Sequence, residues 1–298
     1  MLSQSDLRLL TQTGPGTPMG ELFRRFWIPA MMAHELPEPD CAPVRLRMLS
    51  EDLICWRNTD GTLGAMQNAC PHRGASMFFG RNEENGLRCV YHGWKFDVDG
   101  RCIDLPTSPP GSGYKDTITL LAYPTREWAD IVWVYMGPRT TPPPLPMIEA
   151  NLLPETEVDI FFMQRSCNWL QAQEGDFDPS HVRFLHSTLD ENRSNPGNRV
   201  SGLNLGIATN PAFNGYYSME DTDTGMLFSS VQQMSSGKVS VSVLPWMMPA
   251  FCVPGVAGLN MFSSNMRIPI DNTSMMFFCR RFAPSCHQRA FSAAPGRA

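Results

Sequence analysis

Two short segments of the chain each carry one cysteine and one histidine. Cys70 and His72 lie in the first segment, and Cys89 and His92 lie in the second after an interval of sixteen residues. Thiolate and imidazole groups are the side chains that bind iron and zinc most readily. Each segment can therefore supply one sulfur ligand and one nitrogen ligand to a shared metal centre.

The alternation of the two ligand types favours a 2Fe-2S cluster of the Rieske type. Such a cluster has two thiolates on one iron and two imidazoles on the other, so each of two loops has to supply one of each. Gly74 and Gly93 come after the histidines, and glycine lets a loop turn tightly and direct N–H groups at the sulfurs. The alternatives are a zinc site, whose spacing usually pairs like with like, and metal-free thiols with core histidines.

A second set of candidate ligands lies between residues 168 and 186. His181 and His186 are five positions apart, which is about 140° around an ideal helix, so they converge on one ion only where the helix bends or ends. Alone, this spacing leaves open a metal site and a pair of surface or core histidines. Asp178 precedes His181 by three positions. Glu174 is either a residue beside the metal or a solvated helix charge.

The composition restricts the class of protein. The 298 residues have a formal net charge of −5 and contain no basic block, which argues against a nucleic-acid surface. No apolar run reaches membrane-spanning length, and the first twenty residues lack the pattern of a signal peptide. The nine cysteines are an odd number without disulfide spacing, so we expect reduced thiols and a cytoplasmic location.

Hydrophobic patterning and turn signals divide the chain into four parts. An N-terminal helical segment, residues 1–42, contains a predicted helix over 19–32 that packs on the domain after it. A small antiparallel β domain spans 43–138, with hairpin signals at Asp60-Gly61, Asn85-Gly86 and Asp99-Gly100. Each ligand loop is expected at the tip of a hairpin. A proline-rich linker follows over 139–155.

The last part, residues 156–298, is predicted to combine strands with few helices. A helical stretch spans 168–186 with a break at Pro179, and β-type runs cover 158–164, 203–207, 226–232, 239–243, 259–268 and 274–282. We therefore expect an α+β fold. It consists of a small antiparallel β domain with the cluster, followed by an α+β catalytic domain with an antiparallel sheet and helices.

Four segments together resemble one known family. They are residues 13–20, 70–75, 89–96 and 168–186. Over residues 13 to about 280, the chain resembles the oxygenase component of Rieske non-haem iron aromatic-ring hydroxylases, most closely the phthalate dioxygenase-like branch.

The resemblance implies two iron centres. It assigns the 2Fe-2S cluster to Cys70, His72, Cys89 and His92. It assigns a mononuclear Fe(II) to His181, His186 and a carboxylate, with open positions for O2 and substrate. Asp178 takes the place of the acid that bridges a cluster histidine and an iron histidine across a subunit boundary. The resemblance also implies a homotrimer for a complete chain.

The activity implied by the resemblance is that of a terminal oxygenase. Electrons would come from NADH through a separate reductase that carries flavin and an iron-sulfur centre. O2 would then hydroxylate or demethylate an aromatic compound, with an aromatic acid favoured, in the breakdown of aromatic compounds. The chain has no G-x-G-x-x-G motif for a nicotinamide cofactor, which agrees with an external reductase.

The chain departs from the family at the third iron ligand. That ligand is an aspartate on a helix after the sheet, and none of the six acids that follow His186 lies in such a segment. Residues after about Arg281 contain no acid at all. We hypothesise that the chain is incomplete at its C-terminus. The alternative function is therefore a catalytically impaired or inactive, truncated Rieske electron-transfer protein.

Overall fold

The computed structural model describes residues 2–109, 111–178, 181, 215–233, 237–253, 255–256 and 261–282. These residues form three α-helices, α1 (Gln4–Thr11), α2 (Pro18–Arg24) and α3 (Trp169–Phe177). Ser3 and Asp6 form a capping box at the start of α1, and Thr17 caps α2, as is usual where helices begin. No helix in this described part is long and apolar enough to cross a membrane.

Three antiparallel sheets lie in the part of the chain that contains the two ligand loops. The first has the strand order β2 (Val44–Met48), β3 (Glu51–Arg57), β4 (Leu63–Gln67), β9 (Ala122–Tyr123). The second has the order β5 (Arg81–Asn82), β6 (Leu87–Arg88), β7 (Lys95–Phe96), β8 (Cys102–Asp104). The third has the order β1 (Trp27–Met32), β11 (Ile131–Tyr135), β10 (Thr125–Trp128). The first ligand loop follows β4, and the second connects β6 to β7.

The hairpin turns predicted in this region are confirmed. Asp60-Gly61 connects β3 to β4, Asn85-Gly86 connects β5 to β6, and Asp99-Gly100 connects β7 to β8. Asn and Gly accept the left-handed backbone of such turns at little cost, and Asn85 has a φ of 57°. Local turn chemistry was therefore a sufficient signal here.

The predicted helix over 19–32 is wrong in its second half. Helix α2 ends at Arg24, and the following apolar residues form strand β1, which pairs with β11. Pro29 lacks the amide hydrogen that a helix interior needs, but an edge strand tolerates it. Strand β1 is such an edge, and its register shifts between Pro29 and Met31. The apolar run is buried by sheet pairing, which its spacing did not reveal.

The second part of the chain contains one large antiparallel sheet of eight strands. Its order is β12 (Val158–Arg165), β19 (Met275–Phe282), β18 (Met261–Pro269), β16 (Phe251–Cys252), β15 (Val239–Met247), β14 (Gly225–Gln233), β13 (Gly215–Thr222), with β17 (Gly255–Val256) paired to β18. Helix α3 contacts β18. The predicted α+β fold is thus confirmed, although β13 was not predicted. The run over 203–207 lies outside the described residues.

The two parts of the chain share one hydrophobic core. Trp133 of β11 and Phe278 of β19 belong to the same buried cluster, with ring centroids 6.4 Å apart. The guanidinium of Arg280 is buried and donates a hydrogen bond to the carbonyl of Ala129. The large sheet therefore packs directly on the strands that follow the ligand loops. The predicted domain limits of 43–138 and 156–298 stay predictions.

Candidate metal centres

The first ligand loop is a tight turn closed by an antiparallel bridge between Ala69 and Ser76. Inside it, the Cys70 N–H donates to the Ala75 carbonyl at 2.8 Å, and the Gly74 N–H donates to the Cys70 carbonyl at 2.8 Å. Gly74 has a φ of 69°, in the region that favours glycine. Backbone hydrogen bonds thus fix the turn around its cysteine.

The second ligand loop repeats this arrangement at the tip of the β6–β7 hairpin. The Cys89 N–H donates to the Trp94 carbonyl at 2.8 Å, and the Gly93 N–H donates to the Cys89 carbonyl at 3.0 Å. Gly93 has a φ of 77°, and a Cβ atom there would lie 2.8 Å from Cγ of Pro106. Both loops therefore have the same hydrogen-bonding pattern. The prediction that each lies at a hairpin tip is confirmed for the second loop, whereas the first lies between strands of different sheets and is closed by a single bridge.

The two cysteines of the loops face each other in the interior. Cys70 and Cys89 are both buried, and their side chains lie within hydrogen-bonding distance. Burial raises the pKa of the Cys70 thiol to about 11, while the N–H groups of His72 and Arg73, which point at its sulfur, lower it. Those N–H groups would stabilise a metal-bound thiolate at this position.

The two histidines of the loops meet on the outer side. The ring centroids of His72 and His92 are 4.5 Å apart. Burial, and then the charges of His92 and Arg73, lower the pKa of His72, which favours the neutral imidazole that metals require. Nδ1 of His92 is buried without a hydrogen-bond partner. An unpartnered buried ring nitrogen beside a second imidazole fits a metal ligand.

Aromatic rings hold both histidines in place. His72 stacks on Trp94 with ring centroids 4.5 Å apart and an interplanar angle of 8°. The ring centroids of Tyr91 and His92 are 4.0 Å apart. The indole N–H of Trp94 donates to the hydroxyl of Thr107 at 3.3 Å. The sequence did not indicate this role for Trp94, whose only signal was its place directly after Gly93.

The arrangement favours a cluster over a single zinc ion. A tetrahedral zinc site needs four ligands around one point. A two-iron cluster is wider, with two ligands at each iron. Two buried sulfurs on one side and two imidazoles on the other fit that wider group.

The second candidate centre lies at the end of α3. The helix begins after Asn168, whose side-chain oxygen accepts from the Leu170 N–H at 3.0 Å, and ends at Phe177, before Pro179. Asp178 follows as its C-terminal cap. Residues 182–186 of the predicted helical stretch lie outside the described residues.

The structure brings two of the predicted residues of this centre together. Oδ2 of Asp178 is 3.7 Å from Nδ1 of His181, and both side chains are partly exposed. Glu174 is exposed one turn before the end of the helix. His186 lies outside the described residues, so its predicted role stays a prediction. Asp178 caps the end of α3 and His181 lies three residues later, so the end of this helix brings the two side chains together.

Buried polar contacts of α3 were missed by the sequence analysis. Asp176 accepts a hydrogen bond from Arg267 of β18 at 2.5 Å, and Gln173 donates to Sγ of Cys252 at 2.9 Å. Burial raises the pKa of Cys252 to about 12, and it also raises the pKa of Asp176. The partners are 91 and 79 residues apart in sequence, so no local pattern could indicate them.

Comparison with known proteins identifies the family. Residues 26–124 match the Rieske [2Fe-2S] domain. The chain is 34% identical to the phthalate 4,5-dioxygenase oxygenase subunit of Pseudomonas putida, over 93% of this chain and 64% of that protein. The chain belongs to the Rieske oxygenase family. The resemblance predicted from the sequence is thus confirmed, and a Rieske domain implies a 2Fe-2S cluster.

Other members of the Rieske oxygenase family agree with this. The 3-chlorobenzoate-3,4-dioxygenase oxygenase subunit of Comamonas testosteroni is 51% identical over 59% of this chain and 41% of its own length. The reduced complex between oxygenase and ferredoxin in carbazole 1,9a-dioxygenase has a similar fold, with a TM-score of 0.67 and 21% identity over 96% of this chain and 78% of that one. The chain spans less than two thirds of these curated relatives.

Proposed function

We propose that this Rieske protein is a terminal oxygenase component. It takes electrons at its 2Fe-2S cluster and uses them with O2 at a mononuclear Fe(II) to oxidise an aromatic compound. The observation that carries the proposal is that one chain contains two sets of candidate metal ligands. One is the paired cysteine and histidine loops, and the other is the Asp178–His181 contact at the end of α3.

The cluster ligands in this proposal are Cys70, Cys89, His72 and His92. The mutual contact of the buried thiols and the unpartnered Nδ1 of His92 support this assignment. The imidazoles lie nearer the surface than the thiols, so an electron partner approaches the cluster from the histidine side. Trp94 keeps the His72 ring in a fixed plane.

The iron ligands in this proposal are His181 and His186, with a carboxylate that we have not identified. A carboxylate oxygen facing an imidazole nitrogen orients the ring and its tautomer, which is the role given to Asp178. Its side chain is 49% exposed, so it is also accessible to a histidine of another subunit. A bridge across such a boundary requires a second subunit, and we propose a homotrimer. Glu174 is proposed to lie beside the iron.

The two cofactors would divide the chemistry between them. When bound, the cluster supplies single electrons and the mononuclear iron activates O2. The chain contributes backbone N–H groups at Cys70, neutral imidazoles at His72 and His92, and the orienting carboxylate of Asp178. These groups hold the ligands in place before any electron arrives.

An aromatic acid is the substrate class that the relatives support best. The two curated relatives are named for chlorobenzoate and phthalate. The solved oxygenase complex contains a ferredoxin, which supports electron delivery by a separate protein. We propose a reductase with flavin and an iron-sulfur centre, supplied by NADH in the cytoplasm.

A single-turnover experiment tests this function. The protein is reconstituted with iron and sulfide without oxygen, reduced chemically, and mixed with O2 and 3-chlorobenzoate or phthalate, with and without added Fe(II). We expect hydroxylated product and about three iron atoms per chain, two in the cluster and one at the second centre. The variant His181→Ala should keep the cluster spectrum and about two irons but give no product.

The same experiment separates the second candidate function. A catalytically impaired electron-transfer protein would show the cluster spectrum with about two irons and no product, with or without Fe(II). The curated relatives are named as oxygenase subunits, which favours the oxygenase over this candidate. Product that depends on His181 would exclude it.

A further inference from the structure

The inner face of α3 is polar near its end. Gln173 and Asp176 point into the protein, and Asp176 forms an ion pair with Arg267 at 2.5 Å. The side chains of this pair are only 19% and 5% exposed. Glu174, between the two inward residues, is exposed. The last turn of α3 therefore contacts the sheet through a buried charge pair.

Arg267 is held on the sheet by stacking as well as by charge. Its guanidinium lies 3.9 Å from the ring centroid of Phe277, its cross-strand neighbour on β19. Phe277 in turn packs against Phe161 of β12, with ring centroids 5.6 Å apart. Stacking and the planar fork restrict the direction in which a guanidinium can donate. The position of Asp176 is thus tied to the middle of the sheet.

A buried ion pair is seldom the most stable way to attach a helix. Removing two charges from water is costly, and apolar residues of similar volume often give equal or greater stability. What the pair adds is direction, because hydrophobic contacts such as that between Phe177 and Phe228, with centroids 6.0 Å apart, are not directional. A slip of α3 by one residue would shift its end by about 1.5 Å and rotate it by about 100°.

The pair lies immediately before the proposed catalytic residues. Asp178 is two residues after Asp176, its N–H donates to the carbonyl of Glu174 at 3.1 Å, and its carboxylate faces His181. We infer that Asp176 and Arg267 are positioning residues, which fix the last turn of α3 on the sheet and so place Asp178 and His181. This inference rests on the proposed function and adds to it the residues that hold the iron site in register.

The test uses the full chain and variants that keep it folded. The double variant Asp176→Leu and Arg267→Met replaces the pair by apolar residues, so it should retain the fold. Gln173→Met is the matched control, because it removes a buried polar contact from the same helix face one turn earlier. The first measurement is residue-level amide hydrogen exchange, which requires no iron in the second centre.

We expect the double variant to loosen only the end of α3. The Asp178 amide, which bonds to Glu174, should exchange at least about tenfold faster than in the unmodified protein. The Ala172 amide, which bonds to Asn168 at 3.4 Å, should change less than about twofold. In Gln173→Met, the Asp178 amide should stay within about threefold of its original rate.

The second measurement is turnover and the spectrum of the iron site. Loss of positioning should lower kcat about a hundredfold with little change in KM, since a misplacement near 1 Å has such an effect. The electron paramagnetic resonance signal of the Fe(II) site with nitric oxide should broaden, while the cluster signal should not change.

The outcomes separate this inference from the proposed function. Equal exchange of Asp178 in the double variant and the unmodified protein would overturn the inference, and so would equal acceleration at Ala172 and Asp178. If the unmodified protein gives no product, the oxygenase function fails. The exchange of Asp178 then still decides whether the pair holds the end of the helix.

Discussion

At the scale of single residues, the two cluster loops combine opposite environments. Cys70 and Cys89 are buried, and backbone N–H groups point at the sulfur of Cys70, whereas His72 and His92 are only half-buried against aromatic rings. A cluster in this position has its thiolate side in the protein and its imidazole side towards a partner. The ligands therefore differ in exposure as well as in chemistry.

Replacing one cluster cysteine should abolish the cluster. Cys70→Ser removes a thiolate that neither a hydroxyl nor a nearby side chain replaces, so the visible absorption per chain should fall to less than about a tenth. Cys102→Ser is the matched control, because Cys102 is equally buried but lies outside both loops. Full absorption in Cys70→Ser, or equal loss in both variants, would contradict the assignment.

At the scale of elements, polar side chains attach the N-terminal helices and the strand turns to the rest of the chain. Arg24 of α2 donates to the carbonyls of Thr13 and Leu49 and forms an ion pair with Glu51 at 2.6 Å. The hydroxyl of Tyr123 donates to the other oxygen of Glu51 at 2.6 Å. Helix α2 is thereby connected to two strands of the first sheet.

Removal of Arg24 should be costly. Arg24→Met leaves the buried carboxylate of Glu51 without its cation and two carbonyls without a donor, so the free energy of unfolding should fall by about 3 kcal/mol. Arg47→Met is the control, because the side chains of the Arg47–Asp52 pair are 43% and 68% exposed. This variant should lower the free energy of unfolding by about 1 kcal/mol or less. Urea unfolding followed by tryptophan fluorescence measures both. Equal losses would contradict the role of burial.

The turn between β18 and β19 should make stability depend on pH. Burial disfavours the charge of Asp271, but hydrogen bonds from the N–H and hydroxyl groups of Thr273 and Ser274 outweigh it and bring the pKa of Asp271 to about 2. A lowered pKa stabilises the fold above the unfolded value of about 3.9, and this contribution disappears as the pH falls through about 2.

The variant Asp271→Asn tests this dependence. It should be less stable than the unmodified protein at about pH 6, and the difference in unfolding free energy should close between about pH 4 and pH 2. Urea unfolding at a series of pH values gives the two curves. A difference that stays constant over this range would show that the carboxylate charge is not responsible.

At the scale of the whole molecule, the cluster region and the large sheet share one hydrophobic core. The shared core contains Trp133 and Phe278, and the backbone N–H groups of Leu49 and Ser50 donate to carbonyls of the β18–β19 turn at 3.0 and 2.8 Å. Because Leu49 and Ser50 lie between β2 and β3, the contact joins the first sheet to the large one. The two regions should therefore unfold together.

Truncation of Phe278 should affect both regions at once. Phe278→Ala leaves a cavity in the shared core and should lower the free energy of unfolding by about 3 to 5 kcal/mol. Loss of cluster absorption and loss of far-ultraviolet circular dichroism should then shift to lower urea together. Met219→Ala is the control, at a 71% exposed position of β13. It should change the free energy of unfolding by about 0.5 kcal/mol or less. A shift of only one signal would indicate independent domains.

Local patterns predicted much of this protein. The ligand loops, the three hairpin turns and most strands of the large sheet follow from short segments, because turn residues and period-2 alternation act over a few positions. The predicted helix over 19–32 failed where an apolar run with Pro29 joined a sheet edge instead. Strand β13, with eight exposed residues, offered no such alternation.

The family and the cluster motif could be identified, and two iron histidines predicted, without coordinates, because the chemistry of each ligand set demands particular residue types at short spacing. Which distant residues meet depends instead on the packing of the chain. The stacking of His72 on Trp94, the pairing of β1 with β11, and the ion pair between Asp176 and Arg267 are of this kind. Period and composition show which side chains are buried, but only the folded arrangement of strands selects their partners.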